Sequence, residues 1–567
     1  MHLRPSLRAL ALLFGLAALP AAVHAQHIIG ERDARALRAD SVFRRFDRSD
    51  APGCALGVYQ DGGLIYARGY GMASLEHGIA LSPRSVLDVG SISKQFTAMS
   101  ILLLQRDGKL SLDDPIRKLF PEMPAYADGI TWRRALSQTS GLRDLWTLWG
   151  QTGRTFRGDT IDALQVITRS AGTNYAPGDR YLYTNSGWIL AAQAVYRLTG
   201  KSLAQFAESR IFAPLGMRDT RYFGDNAMVI PGLATAYSPQ TSGGFRVART
   251  TYDGAIVGAG GVHTTIEDFG RWLDNYDRLL VGDAAIVRTM TTPTALSNGS
   301  PARVSFTQAY AVGLNAGTFR GLPVVSHGGS WAGYRGHFLR FPDQRFAVAT
   351  FCNVANAGAD TLARQVAGVY LGDRMAPDTV GAWVAALDAA PAVTVPASDR
   401  QAIAGIWRNV ARGVVQRIRL AGDTIIAVGS ERTRVIPLGG GRFRVGRGTE
   451  LRLAQGDAGR LLSRSASDTT TYERVDSVAL TAAQLAEYAG EYRNEEIETT
   501  HSWRVEKGAL VVYAAGRRLG TVDPTYRDGF VRSGAVIDVT RDARGRITGF
   551  VLQSGRVRDL RFTRVPK

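Results

Sequence analysis

The chain has 567 residues, 45% hydrophobic and 21% charged, with a net charge of +18. That balance excludes a disordered or fibrous protein, and the length calls for two or three domains. Of the 68 basic residues only six are lysines, so arginine is the default cation, and its dispersed placement without a recognisable motif excludes a nucleic-acid footprint.

Residues 1–25 carry Arg4 and Arg8, then the apolar run ALALLFGLAALPAA, then VHA. This is the order of a secretory signal, so cleavage is expected after Ala25, with a periplasmic or secreted product and no stable membrane span after processing. No later stretch approaches the ~18 apolar residues of a transmembrane helix. From Ala34 a helical period places Leu37, Val42, Phe43 and Phe46 on one side. CALGVYQDGGLIYARGYGMA then predicts a hairpin turning at Asp61-Gly62-Gly63. The middle of the chain is mostly helical in pattern, as in SGWILAAQAVYRLTG with its Gly200 cap. Strand patterns return at LPVVSHGG, GHFLRFP and RFAVATFCN, followed by the helical ADTLARQVAGVYLG. Strands at both ends with helices between them predict an α+β domain, an antiparallel sheet packed by helices, over residues 26–386.

Residues 387–398 read as a linker across which few contacts run. Two small all-β modules are expected beyond it, at 399–476 and 477–567. AGIWRN at 404–409 returns as AGEYRN at 489–494, and YERV at 472–475 as FTRV at 562–565. This C-terminal part carries 29 basic and 19 acidic residues from Asp399 onward. The excess could serve an anionic cell-envelope polymer, although dispersed charge favours a solvated face. Only Cys54 and Cys352 are present, and as a disulfide or as two buried thiols they are equally compatible with an exported chain.

The chemistry concentrates in DVGSISKQF, residues 88–96, where one of the six lysines stands three residues after Ser91. The following FTAMSILLL predicts a buried helix, which stacks Lys94 one turn above Ser91. Burial lowers an ammonium's pKa, so Lys94 can act as a base on the Ser91 hydroxyl, as arginine could not. The alternative is a capping serine beside a stray lysine. Two further stretches add to the first: Tyr183-Thr184-Asn185 ahead of a helix, and His327-Gly328-Gly329 at the end of a strand.

With S-x-x-K at Ser91–Lys94, Y-x-N at Tyr183–Asn185 and H-x-G at His327–Gly329, residues 35–375 resemble the serine β-lactamase and penicillin-binding-protein superfamily, in its class C-like peptidase and esterase branch. TSGL at 139–142 and GAGGVHTT at 258–265 resemble family segments as well. The resemblance implies an acyl-enzyme on Ser91, with Lys94 and Tyr183 sharing the proton transfers. It also implies a substrate amide on Asn185 and an oxyanion hole from the Ser91 and Ser330 backbone N–H groups. His327 stands where many relatives have a lysine, which removes a fixed cation and leaves a group expected to titrate near neutrality. Gln138 replaces a frequent histidine. In the superfamily's sheet the strands of Cys54 and Cys352 pair antiparallel, which implies that the two cysteines are neighbours. The repeats resemble the lipocalin-like barrels that follow this domain in some D-aminopeptidases.

The expected activity is peptidase or amidase action on D-amino-acid peptides, with a small-molecule or peptide substrate and no cofactor or metal. Carboxylesterase, weak β-lactamase and a non-catalytic wall-binding receptor are the alternatives. No G-x-S-x-G elbow and no H-E-x-x-H occur, which removes the α/β-hydrolase and zincin readings.

Overall fold

A computed structural model describes residues 28–155, 160–225, 227–248, 256–409, 412–428, 432–454 and 457–566. The expected signal segment lies outside them. The first domain is built on an eight-stranded antiparallel sheet. Its strands are β1 (Ile28–Gly30), β2 (Cys54–Gln60), β3 (Gly63–Tyr70), β4 (Gln308–Tyr310), β5 (Asn315–Phe319), β6 (Leu322–Trp331), β7 (Tyr334–Phe341) and β8 (Phe346–Cys352), in the spatial order β1-β3-β2-β8-β7-β6-β5-β4. The β2–β3 turn takes Asp61 and Gly62 at φ 53° and 82°, the left-handed pair a tight hairpin needs.

β2 and β8 are buried on both faces, because helices cover both sides of the sheet. On one side α1 (Ala34–Val42) and α6 (Ala359–Leu371) pack Phe43, Leu362 and Val366 against Leu56 and Val348. On the other lie α2 (Lys94–Arg106), α3 (Leu145–Thr152), α4 (Ser186–Thr199) and α5 (Ile266–Arg278). Register places Cys352 opposite Cys54, and the two are joined in a disulfide with Cα atoms 3.9 Å apart. The neighbours implied by the resemblance are therefore bonded.

Beyond the sheet domain stand two closed eight-stranded barrels, spanning 405–475 and 490–564. The repeat seen in sequence has a structural meaning. Trp407 and Tyr492 are both fully buried, and each donates a hydrogen bond to the carbonyl four residues back, Ile403 at 2.9 Å and Tyr488 at 2.8 Å.

The barrels are not loosely tethered, which corrects the expectation of few contacts. The segment between α6 and the first barrel packs as it goes. Val395 is buried, Val393 N donates to Pro437 O at 3.0 Å, and Asp388 accepts from Gly448 N at 2.8 Å. The first barrel keeps a core of its own around Trp407, Ile418 and Phe443. The second barrel shares one continuous apolar core with the sheet domain. It is pinned there by a sealed Arg143–Glu496 ion pair, by Thr499 Oγ1 to Thr152 O at 3.0 Å and by His501 Nε2 to Gln151 O at 2.7 Å. The contact at the end of α3 admits only glycine: a Cβ on Gly153 would stand 2.2 Å from Ala514 O. Among the described residues no helix is long and apolar enough to cross a membrane.

Candidate active site

Ser91 lies on a 3₁₀ turn, Gly90–Ser93, that runs directly into α2, so Lys94 is the first residue of the helix proper. Asp88 fixes the turn by accepting from Gly90 N at 2.6 Å, and Ser93 Oγ donates to Gly90 O at 2.6 Å. The Lys94 side chain is fully buried, and its ammonium has three partners: Ser91 Oγ at 3.0 Å, Asn185 Oδ1 at 3.0 Å and Ala259 O at 2.6 Å. Ala259 belongs to the GAGG segment singled out in the sequence. Burial, seconded by the cation of Arg556 and opposed by Asp144, holds Lys94 well below its ordinary value. Once deprotonated, the amine would keep two N–H bonds, enough for Asn185 and Ala259, with its lone pair left for the Ser91 hydroxyl.

The Tyr183 hydroxyl faces Ser91, and burial pushes its pKa upward despite that neighbour and the nearby Arg556. Its ring centroid lies 5.0 Å from Lys94 Nζ and also 5.0 Å from Arg556 Cζ, both within cation–π range. The loop carrying Tyr183 is braced by Gln138, which sits at φ 62° and accepts from Thr184 N at 2.8 Å. That is the structural role of the glutamine noted in the sequence as replacing a frequent histidine.

Asn185 is oriented by a residue the sequence reading missed. Asp144 Oδ2 accepts from both Asn185 N, at 2.9 Å, and Nδ2, at 3.0 Å. This sets Oδ1 on Lys94 and leaves one amide proton for the cavity. Its other oxygen caps α3, accepting from Thr147 N at 3.2 Å.

His327 departs from the expectation. Its Nδ1 faces Gly328 O at 2.6 Å and its Nε2 faces the Tyr310 hydroxyl at 3.0 Å, so both nitrogens are engaged. Burial above all depresses it to about 3, and the imidazole is neutral at physiological pH instead of titrating there. The cation missing from the third motif is not replaced by this residue.

The backbone amides of Ser91 and Ser330 meet across a gap that only glycines leave open. A Cβ on Gly90, whose φ is 53°, would stand 2.6 Å from Ser330 N, and one on Gly329 would stand 3.3 Å from Ser91 N. These groups converge on a cavity of about 770 Å³ lined by Ser91, Tyr183, Asn185, His327, Gly329 and Ser330. Trp146 and Trp331, with ring centroids 5.5 Å apart, form an apolar wall. Arg556, from the second barrel, reaches the same cavity. No local pattern distinguishes it among the chain's arginines.

An antiparallel sheet with helices on both faces and a serine–lysine pair at the head of a buried helix defines the class. Residues 39–371 match the beta-lactamase family, and the chain belongs to it, as a hydrolase of the β-lactamase and penicillin-binding-protein superfamily. Among its relatives, a D-aminopeptidase of Cereibacter sphaeroides strain ATCC 17029 is 27% identical over 79% of this chain and 80% of its own length. A D-aminopeptidase of Brucella ovis is 25% identical over 91% of this chain and 96% of its own, so the similarity runs through the barrels. In fold, the octameric penicillin-binding protein homologue from Pyrococcus abyssi superposes with a TM-score of 0.56 at 17% identity, covering 86% of this chain and 99% of that one. The D-amino acid amidase from Ochrobactrum anthropi SV3, complexed with L-phenylalanine, gives 0.53 at 21% identity over 60% of this chain and 99% of its own.

Proposed function

We propose that the protein is an exported serine hydrolase that cleaves amide bonds of D-amino-acid peptides through an acyl-enzyme on Ser91. One observation carries this reading: Lys94 Nζ lies 3.0 Å from Ser91 Oγ, while its other two contacts use up the two N–H bonds of a neutral amine. Neutral Lys94 takes the Ser91 proton as Oγ bonds to the substrate carbonyl carbon. The oxyanion so formed is held by the Ser91 and Ser330 amides. Tyr183, kept protonated by burial, hands its proton to the leaving nitrogen as the C–N bond breaks, and recovers one from Lys94. Water then repeats the sequence in reverse on the ester, releasing the acid and Ser91. The remaining Asn185 amide proton is available to a substrate carbonyl.

Support for D-amino-acid substrates comes from the D-aminopeptidase relatives, whose similarity spans most of both chains. An oxidising compartment suits the Cys54–Cys352 disulfide, in keeping with export. Labelling with a fluorophosphonate, followed by peptide mapping and hydrolysis of D- and L-amino-acid amides and p-nitrophenyl esters, tests the assignment. Wild type should label at Ser91, and Ser91→Ala should lose all but about 1% of turnover. Absence of label would favour a binding protein over an enzyme.

A further inference from the structure

A second cavity, of about 850 Å³, opens where the sheet domain and both barrels meet, and it shares Tyr183 and Arg556 with the first. Its charged lining is one-sided: Arg180 and Arg303 from the sheet domain, Arg412 from the first barrel, Arg556 and Arg558 from the second, against the single carboxylate of Asp468. Arg412 is paired with that Asp468, and Arg180 with its neighbour Asp179 at 2.8 Å. Arg303, Arg556 and Arg558 have no carboxylate within ion-pair distance among the described residues. Three positive side chains are therefore held around one cleft without a carboxylate partner among the described residues, and burial, seconded by the Arg180 cation, lowers Arg558 from its ordinary value.

The arrangement is built rather than incidental. Arg556 sits at the turn of the hairpin joining strands Ile547–Ser554 and Val557–Arg564, and the sheet domain grips that turn from both sides. Arg556 O accepts from Asp144 N at 3.2 Å and from Asn174 Nδ2 at 3.0 Å, while Asn174 Oδ1 accepts from Arg558 N at 2.7 Å. The same Asp144 orients Asn185, so the position of the arginine is tied to the geometry around Lys94. In the first cavity Asp360 is the lone carboxylate among the lining residues, so a free substrate ammonium finds little to pair with and Arg556 to repel it.

We infer that this cleft is an anion subsite of the active centre: it takes an acidic segment of the peptide substrate, a carboxylate several atoms from the scissile amide, with Arg556 as the residue that selects it. Guanidinium forks suit carboxylates, and a water-filled crevice with unpaired cations concentrates them. The inference rests on the hydrolase reading above and narrows its substrate. It sets this chain apart from an enzyme that requires a free amino terminus.

The test uses the full-length protein and N-acetylated D-alanine-containing peptides that carry Glu or its isostere Gln two residues from the scissile bond, on the acyl side or the leaving side, together with D-alanine p-nitroanilide bearing a free ammonium. In wild type, kcat/KM for the Glu peptide in one of the two positions should exceed that for Gln by about tenfold or more, and the ammonium substrate should be poorest. Raising salt should shrink the Glu:Gln ratio. Arg556→Ala should bring the ratio to near one, Arg556→Lys should restore part of it, and Arg556→Glu should invert it. A wild-type ratio within about twofold in both positions, or an unchanged ratio in Arg556→Ala, overturns the inference. Calorimetric binding of the same peptides to Ser91→Ala separates the two readings. Ordered binding without wild-type turnover refutes the acyl-enzyme alone, and binding indifferent to charge refutes the subsite.

Discussion

Replacing Glu496 with alanine should loosen the second barrel from the sheet domain. The carboxylate is the hub of their contact: Arg143 Nη1 donates to Oε1 at 2.6 Å and also to Oε2, Ser170 Oγ donates to Oε2 at 3.3 Å, and Ala171 N donates there too. Both ends of the pair are sealed, with side chains 5% and 6% exposed. Alanine leaves the buried Arg143 without its counter-charge, with Nη1 and the Ala171 amide losing their acceptor while Nη2 keeps Asp559 O at 3.1 Å, which costs about 3–5 kcal/mol. A water entering the vacated space brings the loss toward the lower end of that range. The loss falls on the opening that separates the two units, and about 1.4 kcal/mol is a factor of ten in an equilibrium constant. Amide hydrogen exchange over residues 141–175 and 494–501 should therefore accelerate by about two to three orders of magnitude. Arg143→Ala should have a similar effect, and the double variant should lose much less than the sum. Mass-resolved exchange on wild type and variants makes the measurement. Protection within about threefold of wild type would show that the pair does not hold the barrel, and the shared core would have to do so alone.

Lys94→Arg should be nearly as inactive as Lys94→Ala, each losing about three orders of magnitude or more in kcat/KM, because a guanidinium keeps the charge and cannot accept the serine proton; retained activity in the arginine variant would reduce Lys94 to an electrostatic support. Three buried imidazoles, His327, His337 and His501, are held to about 3, 4 and 3, chiefly by burial. The unfolded chain binds their protons below about pH 6.5, so their contribution is complete above that pH and is lost as pH falls toward 3–4. Urea midpoints should drop steadily from about pH 7 to pH 4.5, and a flat profile would show these rings already charged in the fold. Changing Cys54 and Cys352 to alanine releases a crosslink spanning 298 residues, and chain entropy sets that loss at about 6 kcal/mol, read as a lower melting point that no longer responds to reductant. A chain ending near residue 391 strips the sheet domain of the apolar face it shares with the second barrel and removes Arg556. It should be insoluble or acylate slowly, and a soluble fragment labelled at the full rate would contradict the shared core.

What could be read from the sequence was local. Ser91 and Lys94 are three residues apart on one turn, and a lysine in an arginine-rich chain is conspicuous. The β2–β3 hairpin, α4 with its glycine cap and the aromatic openers of the barrels are each specified within about ten residues, where periodicity and turn chemistry act. Asp144, Glu496 and Arg556 were not legible. Their roles arise from contacts such as Arg143–Glu496, bridging 353 positions, and each residue looks like an ordinary surface charge in its own neighbourhood. The His327 expectation failed for a related reason: the ring's neutrality comes from Tyr310 and from burial, neither of which the H-x-G triplet contains. The linker misled because Pro and Ala are compatible with a packed strap as well as a free one.

The hairpin that carries Arg556 also fixes an order of assembly. Ser91 and Lys94 come together as soon as α2 winds and packs, a contact of low order that forms early. Arg556 joins them only after the second barrel has docked, and that docking closes loops of several hundred residues. Closing so long a loop adds little to the equilibrium cost, which grows only with the logarithm of length, but contacts of high order form late. The serine–lysine turn is thus in place before the guanidinium that shares its cavity, and the interval between the two is set by how fast the last barrel finds its seat.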